Sequence, residues 1–293
     1  MKTVPVMVIV AVGWSSRHAS GRPGDPVIPH GARLVALLGV FASPALQAHD
    51  FWIEPARFLF DGPGTVAVTL RVGQDYQGDS VPFIDDWIDR FEIHDGQGVR
   101  RVESQIGDDP AAVVEARTPG STWIAYQSRD DFIELPPDKF RDYLRMEGME
   151  FILPQREQRG LAEKPAREYY VRCVKSLLWW PGGRGGDVVS VPLGLTLEIV
   201  PLQNPYTLSS GEPLTVRVLH LGRPGMGLLL KAFTREQPEQ KQQLRTDAEG
   251  RVRLELDRGG TWLVKTVHMV AVDGDTYCDW RSYWASLTFA IDR

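Results

Sequence analysis

Apolar and polar residues alternate with a period of two along much of the chain after residue 49. Such alternation puts one side of a segment against a core and therefore predicts half-buried β-strands. The clearest early case is the segment GTVAVTLRV, residues 64–72. Two more predicted strands, Phe91–His94 and Trp123–Tyr126, are bounded by the turn pairs Asp95-Gly96 and Pro119-Gly120.

The period changes between Pro137 and Val174. Phe140, Tyr143 and Leu144 recur at helical spacing, and Tyr170 and Val174 do so as well. We therefore expect two or three short helices, which form a helical insertion at about residues 137–178.

From Leu193 onward the sequence is almost entirely strand-like, and turn residues separate the runs. The predicted strands include Leu195–Val200, Leu214–Leu219, Leu228–Phe233, Val252–Leu256, Trp262–Val272 and Tyr283–Ile291. About seven strands over roughly 95 residues predict an immunoglobulin-like or transthyretin-like β-sandwich. The sequence thus predicts a mainly β protein, with a β-rich domain carrying the helical insertion at residues 49–192 and a β-sandwich at residues 193–293.

The first 48 residues have the features of a secretory leader. An apolar run from Leu34 to Ala48 follows Arg33 and ends in small residues. Its 15 residues would span roughly 22 Å as a helix, less than the ~30 Å of a bilayer core, which favours a cleaved signal over an anchor. No later segment is long and apolar enough to span a membrane, so we expect a periplasmic protein with no stable membrane span after processing.

Charge and composition indicate a globular protein and argue against nucleic-acid binding. A hydrophobic content of 43% and a charged content of 24% are those of a globular protein. The leader carries a net charge of +3, so its removal takes the whole-chain −5 to −8. An acidic chain without a basic patch is a poor candidate for nucleic acid. Cys173 and Cys278 lie 105 residues apart in different predicted domains, and we expect them to be unpaired.

His49 is the strongest candidate for a metal ligand in the sequence. Cleavage after Ala48 would free its α-amino nitrogen, which can chelate one metal ion together with Nδ1 of the same residue. One further histidine would complete three nitrogen ligands suited to Ni, Co or Cu. An ordinary polar residue at a new N-terminus is the alternative interpretation.

The second ligand is predicted to be His268, which shares a strand face with Trp262, Val264 and Thr266. A core histidine bonded to a backbone carbonyl is the alternative. Asp50 is the favoured oxygen ligand. Weaker candidates are His94, before a turn, and Asp275, in an Asp-Gly-Asp turn; His220 stands beside Gly222 and Pro224 in another predicted turn and is not chosen.

Motifs for catalysis are absent from the sequence. It contains no nucleophile elbow, zinc-protease helix signature or phosphate loop. We therefore expect a binding protein rather than an enzyme.

Several motifs in order resemble one family of bacterial periplasmic proteins. They are His49-Asp-Phe-Trp-Ile-Glu-Pro55, Tyr143-Leu-Arg-Met-Glu-Gly148, Arg167-Glu-Tyr-Tyr-Val-Arg172 with Lys175, Gly194-Leu-Thr-Leu-Glu-Ile-Val-Pro201, Asn204-Pro-Tyr206, Trp262–Met269 and Ser282-Tyr-Trp-Ala-Ser-Leu-Thr-Phe289. Together they resemble the domain-of-unknown-function family linked to nickel uptake, also described as a periplasmic component of cobalt/nickel transport.

The resemblance implies an exported protein of two parts that binds Ni or Co and delivers it to a membrane metal transporter. It supports His49 and the strand of His268 together as the metal site. A copper protein with a histidine brace is the second hypothesis. A structural or adhesive envelope β-sandwich without a ligand is the third.

Processing gives the first testable prediction. Mass spectrometry of the protein purified from the periplasm should find His49 at the terminus, because the apolar run ends at Ala48. Cleavage after Ala45 is the rival, and a terminus at Leu46 would remove the chelating amine from His49.

Overall fold

The computed structural model describes residues 49–182, 188–209 and 211–292, so the predicted leader lies outside the described residues. The described chain is mostly strand, as predicted. The strands of its first half are β1 Asp50–Pro55, β2 Gly64–Gln74, β3 Gln77–Val81, β4 Ile88–Asp95, β5 Gly98–Arg101, β6 Ala112–Ala116, β7 Gly120–Ser128, β8 Asp131–Leu135 and β9 Ala166–Trp180. Those of the second half are β10 Leu197–Pro201, β11 Leu214–His220, β12 Arg223–Pro224, β13 Leu229–Thr234, β14 Gln237–Arg245, β15 Arg251–Leu254, β16 Gly260–Ala271 and β17 Trp280–Ile291.

A nine-stranded central sheet runs through the fold in the order β14-β13-β16-β17-β9-β7-β4-β5, with β8 also paired to β9. One face of this sheet is covered by a small sheet of β10, β11, β12 and β15, and the core between them includes Trp123, Trp262 and, on β11, Val216. The other face is covered by a second small sheet of β1, β2, β3 and β6 and by two helices. The β-sandwich predicted from the sequence is therefore present, as a three-layer arrangement around one large sheet.

The central sheet joins the two segments that the sequence analysis separated at residue 192. Strand β9, before that point, pairs in parallel with β17, the last strand, from Glu168 opposite Trp280 to Ser176 opposite Thr288. Alternation along a strand identifies its buried face but not its neighbour, which is why this long-range pairing was not visible in the sequence.

The helical insertion is shorter than predicted. It consists of α1, Pro137–Met146, and α2, Ile152–Gln158. Proline at the first position suits a helix start, and α1 buries the predicted Phe140, Tyr143 and Leu144. The predicted helix around Tyr170 and Val174 was wrong, since both lie in β9. A spacing of four residues returns to the same face of a strand as well as of a helix, so those two positions fit both periods.

Strand β14 was not predicted. Its sequence, QPEQKQQLR, is almost wholly polar because it forms an edge of the central sheet. Polar edge strands are common, since they discourage pairing with other chains.

Two further expectations concern the cysteines and the membrane. Cys173 and Cys278 are both buried free thiols, as predicted. Within the described ranges, no helix has the length and apolar character needed to cross a bilayer.

Glu168 on β9 is a fully enclosed carboxyl group beneath α1. Its Oε1 accepts hydrogen bonds from the Tyr143 hydroxyl at 3.1 Å and from the Ser282 hydroxyl. Its Oε2 is buried without a hydrogen-bond partner in the described part of the chain. Burial raises the pKa of Glu168 to about 7, although the two hydroxyl donors act to lower it.

The raised pKa predicts a pH-dependent stability. The stabilising effect of the neutral acid is complete below the unfolded-state pKa of 4.5 and is lost as the pH rises through about 7. Glu168→Gln, which imitates the neutral acid, should therefore match the wild type at pH 4. At pH 8 the variant should be more stable by up to about 3 kcal/mol, measured by urea unfolding.

The matched control is Glu163→Gln, because the Glu163 side chain is 83% exposed. It should leave the pH dependence of unfolding unchanged. An unchanged pH dependence in Glu168→Gln would mean that Glu168 ionises normally in the folded protein.

Candidate metal centre

Strand β16 carries the predicted ligand His268, and its two faces have different surroundings. The odd-numbered residues Val267 and Met269 pack against the helices on one side of the central sheet. The even-numbered residues Trp262 and Val264 pack against the small sheet that contains β11 on the other side. The side chain of His268 belongs to the even-numbered face, as expected from the sequence.

The odd-numbered face holds a buried charge cluster that includes the predicted oxygen ligand Asp50. The ammonium group of Lys265 pairs with Asp50 and lies 3.3 Å from Oε1 of Glu147, while Lys231 lies 3.1 Å from Oε2 of Glu147. Burial acts to lower the pKa of Lys265, but the two carboxylates outweigh it and the pKa is raised. Asp50 therefore serves as the counter-ion of Lys265, at the start of β1.

On the even-numbered face, His268 lies against His220 from the end of β11. The two imidazole rings have centroids 4.6 Å apart at an interplanar angle of 69°. Two aromatic rings flank the pair: the centroid of Tyr283 is 5.0 Å from that of His220, and the centroid of Phe151 is 6.2 Å from that of His268. Two histidines from opposing sheets thus meet beside two aromatic rings, and we call His220 and His268 the histidine pair.

Each member of the histidine pair has a ring nitrogen without a partner. Nε2 of His220 and Nδ1 of His268 are buried and have no hydrogen-bond partner among the described residues. Burial lowers the pKa of His220. Burial, followed by the repulsion between the protonated forms of the two rings, lowers the pKa of His268 to about 4. Both rings are therefore neutral at pH 7, and a neutral imidazole nitrogen with a free lone pair is a metal ligand.

The structure places two of the three predicted ligands, Asp50 and His268, on opposite faces of the central sheet. His49 is exposed and immediately precedes β1, and Asp50 faces the charge cluster on the odd-numbered side of β16. His268 points to the opposite side, so the central sheet separates it from Asp50. The expected site of Asp50 and His268 on one ion is not formed in this arrangement.

The two weaker candidates are engaged elsewhere. Nε2 of His94 lies 3.1 Å from Oε2 of Glu92, which also pairs with Arg90. Asp275 is exposed and accepts hydrogen bonds from the backbone N–H groups of Tyr277 and Cys278, which lower its pKa. Asp275 is thus part of a turn, the ordinary interpretation of its sequence.

His220 is the site residue that is missing from the ligand set predicted from the sequence. Gly222 and Pro224 indicated a turn at this position, but His220 is the last residue of β11. Leu214, Val216 and Val218 of β11 are all fully buried. His220 continues that same two-residue period, so strict alternation would have placed its ring in the core.

The histidine pair can supply two neutral nitrogen ligands and leave the other coordination positions open. Within the described residues, no group of three or more His, Cys, Asp and Glu side chains is arranged to hold a metal ion. An ion bound to the histidine pair would therefore have these two nitrogens as its protein ligands.

The charge cluster gives a test of the role assigned to Asp50. Asp50→Asn removes one of the two carboxylates that neutralise buried Lys265, and it should reduce the free energy of unfolding by roughly 3 kcal/mol. Chemical denaturation of purified protein measures this loss. Since Asp50 lies on the other side of the central sheet from the histidine pair, metal binding should be unchanged.

Arg101→Met is the matched control, because it breaks an ion pair with Asp85 whose side chains are 67% and 50% exposed. Its effect should stay within about 1 kcal/mol. A loss of bound metal in Asp50→Asn at full stability would instead make Asp50 a ligand.

Comparison with solved structures gives distant similarities. The chain matches the D0-D1 domain of Intimin at 12% identity, covering 82% of this chain and 97% of that one, with a TM-score of 0.19. It matches native alpha-2-macroglobulin from Escherichia coli spanning domains MG0-NIE-MG1 at 13% identity, covering 84% and 97%, also with a TM-score of 0.19. No curated protein matches the chain.

A protein family does match across most of the sequence. The family described as "Domain of unknown function (DUF4198)" aligns with residues 46–270, which include β1, both helices and the strand of His268. The chain therefore belongs to the DUF4198 family.

Proposed function

We propose that this protein binds a transition-metal ion outside the cytoplasm and that His220 and His268 hold the ion. One observation carries the proposal: two neutral imidazoles from opposing sheets lie edge to face with centroids 4.6 Å apart, and each has a buried nitrogen that lacks a hydrogen-bond partner in the described chain. Leaving such polar atoms unpaired costs roughly 1–3 kcal/mol each. A bound ion would offset that cost by accepting both lone pairs.

The proposed setting is metal uptake across the periplasm. Imidazole nitrogens suit Ni and Cu among the first-row ions. The resemblance seen in the sequence suggests nickel or cobalt and delivery to a membrane transporter. Both rings are only partly buried, but their two unpartnered nitrogens are buried, so an ion would reach those nitrogens after a rotation of the imidazole rings.

The N-terminal chelate is a separate candidate site. His49 is exposed, and its imidazole would be available together with the amine that leader cleavage is expected to free. A histidine brace needs His49 and a second histidine on one ion. The adjoining Asp50 faces the side of the central sheet opposite to His268, which argues against a brace between His49 and His268.

Equilibrium dialysis of the processed protein against Ni, Co and Cu tests the proposal. We expect one ion per chain, and we expect His220→Asn and His268→Asn each to weaken its binding at least about tenfold, since each removes one of two ligands. Unfolding curves of both variants should show that the fold is retained.

His94→Asn is the matched control, since His94 is a half-buried strand histidine held by Glu92 rather than by the pair. It should bind metal as the wild type does. Loss of binding in His49→Ala alone would move the site to the N-terminus. Absence of binding in the wild type would favour the structural or adhesive envelope sandwich.

A further inference from the structure

We propose that Glu168 forms a pH-sensitive switch that holds the helices α1 and α2 against the central sheet. Ionisation of its buried carboxyl group releases the two helices together, while the two small sheets stay in place. Glu168 lies on the helix-covered face of the central sheet and the histidine pair lies on the other face, so this inference does not depend on the proposed metal site.

A closed ring of contacts joins α1 to the central sheet at Glu168. The Tyr143 hydroxyl of α1 donates to Oε1 of Glu168 at 3.1 Å, and the Tyr143 ring stacks on Trp284 of β17 with centroids 5.5 Å apart at an angle of 7°. The indole N–H of Trp284 donates to the Ser282 hydroxyl at 3.0 Å, and that hydroxyl donates to the same Oε1 of Glu168. The polar contacts of this ring therefore all end on one carboxyl group.

This arrangement suits a neutral carboxyl group better than a carboxylate. Two uncharged hydroxyls donate to Glu168, and its Oε2 is buried without a hydrogen-bond partner in the described chain. A buried carboxylate usually needs a cation or several donors to keep its charge. Among the described residues no lysine or arginine forms an ion pair with Glu168. Solvation of an ionised Glu168 therefore requires that α1 move away from the sheet.

The other charged and titratable groups near Glu168 do not offset a negative charge there. Tyr143 and Tyr170 stay protonated, since burial raises the pKa of each hydroxyl. Asp131, which accepts a hydrogen bond from Tyr170, and Glu147 are acidic. The nearby cations have other partners: Arg156 and Arg159 of α2 donate to backbone carbonyls, Arg167 pairs with Asp279, Arg172 lies over the rings of Phe51 and Tyr170, and Lys265 pairs with Asp50 and Glu147.

The two helices can leave the sheet without the rest of the fold because they have an apolar core of their own. Phe140, Leu144 and Ile152 of the helices pack with Met269 and Trp280 of the central sheet in one cluster. The two small sheets cover two other apolar clusters. A layer with a separate core can open locally while the remaining structure persists.

A second attachment opposes this opening. Glu147, which follows the last residue of α1, lies 3.1 Å from Lys231 and 3.3 Å from Lys265. This buried ion pair holds the C-terminal end of α1 near the sheet. Glu168 supplies the part of the attachment that a rise in pH weakens.

The direction of the pH dependence follows from the two states of Glu168. Its pKa is about 7 beneath α1 and returns to the ordinary 4.5 when the helices leave and water reaches it. The equilibrium constant for opening therefore increases about tenfold per pH unit between these values and levels off above about pH 7. From pH 5 to pH 8 the expected increase is on the order of 50- to 100-fold.

Hydrogen exchange of the full chain, followed by mass spectrometry, tests the switch. At pH 8 the amides of α1 and α2 should be at least about tenfold less protected than those of β2 and β11, which belong to the two small sheets. Glu168→Gln keeps an acceptor for both hydroxyls and cannot ionise. It should raise the protection of both helices on the order of 100-fold at pH 8 and leave it unchanged at pH 4.

Glu157→Gln is the matched control, because Glu157 is an exposed glutamate on α2 itself, and it should leave the exchange of both helices unchanged. Equal protection of helices and strands at pH 8 would mean that Glu168 acts through global unfolding, and this result would overturn the switch. Helix protection at pH 8 that does not differ between Glu168→Gln and the wild type would overturn it as well.

A carbon-13 NMR titration of the Glu168 carboxyl group gives a second readout. Its midpoint should lie near pH 7 in the wild type. Tyr143→Phe keeps the ring stacked on Trp284 but removes a donor to the carboxylate, so it should move the midpoint to higher pH. A midpoint near 4.5 in the wild type would show that the folded protein accommodates the charge, and the switch would fail.

Discussion

The parallel pairing of β9 with β17 is the constraint on which the rest of the fold depends. It joins a strand from the first half of the chain to the last strand, and it turns two sets of strands into one sheet with two covered faces. The other strands of the central sheet are ordered outward from this pair: β7 and β4 follow β9 on one side, and β16 and β13 follow β17 on the other. Parallel neighbours need a long connection, and here it contains the whole of the sheet that carries β11.

Buried ion pairs link the central sheet to the layers on both of its faces. Lys175 on β9 lies 2.7 Å from Glu198 on β10, and both side chains are 1% exposed. Glu198 also accepts the backbone N–H groups of Leu193 and Gly194, so its oxygens are satisfied. On the opposite face, Lys265 joins the start of β1 to the end of α1 through Asp50 and Glu147. Buried pairs of this kind add little net stability compared with apolar packing, but removing one partner leaves a costly isolated charge, so they fix which layer packs where.

The strands were largely predictable because burial on one face imposes a period of two, as in β2 and β16. Prediction failed where the period is ambiguous or absent. Tyr170 and Val174 fit a helix and a strand equally, and β14 shows no apolar alternation because both its faces are largely solvated. The pairing of the strands could not be predicted either, because alternation does not show which two strands lie side by side. The boundary predicted at residue 192 rests on local pattern alone and takes no account of the pairing between β9 and β17.

The candidate site illustrates the same limit at the level of single residues. The orientation of His268 was predictable from Trp262 and Val264, and its burial followed from that face. The second histidine beside His268 could not be predicted, because the choice between His49 and His220 depends on which layer covers the even-numbered face of β16. Strand β1 covers the odd-numbered face, where Ser286 and Thr288 of β17 donate hydrogen bonds to its carbonyl oxygens at Phe51 and Ile53. The even-numbered face is left to β11. A histidine at the end of β11 with the parity of Val216 and Val218 faces the same layer interface as His268, where the two rings meet.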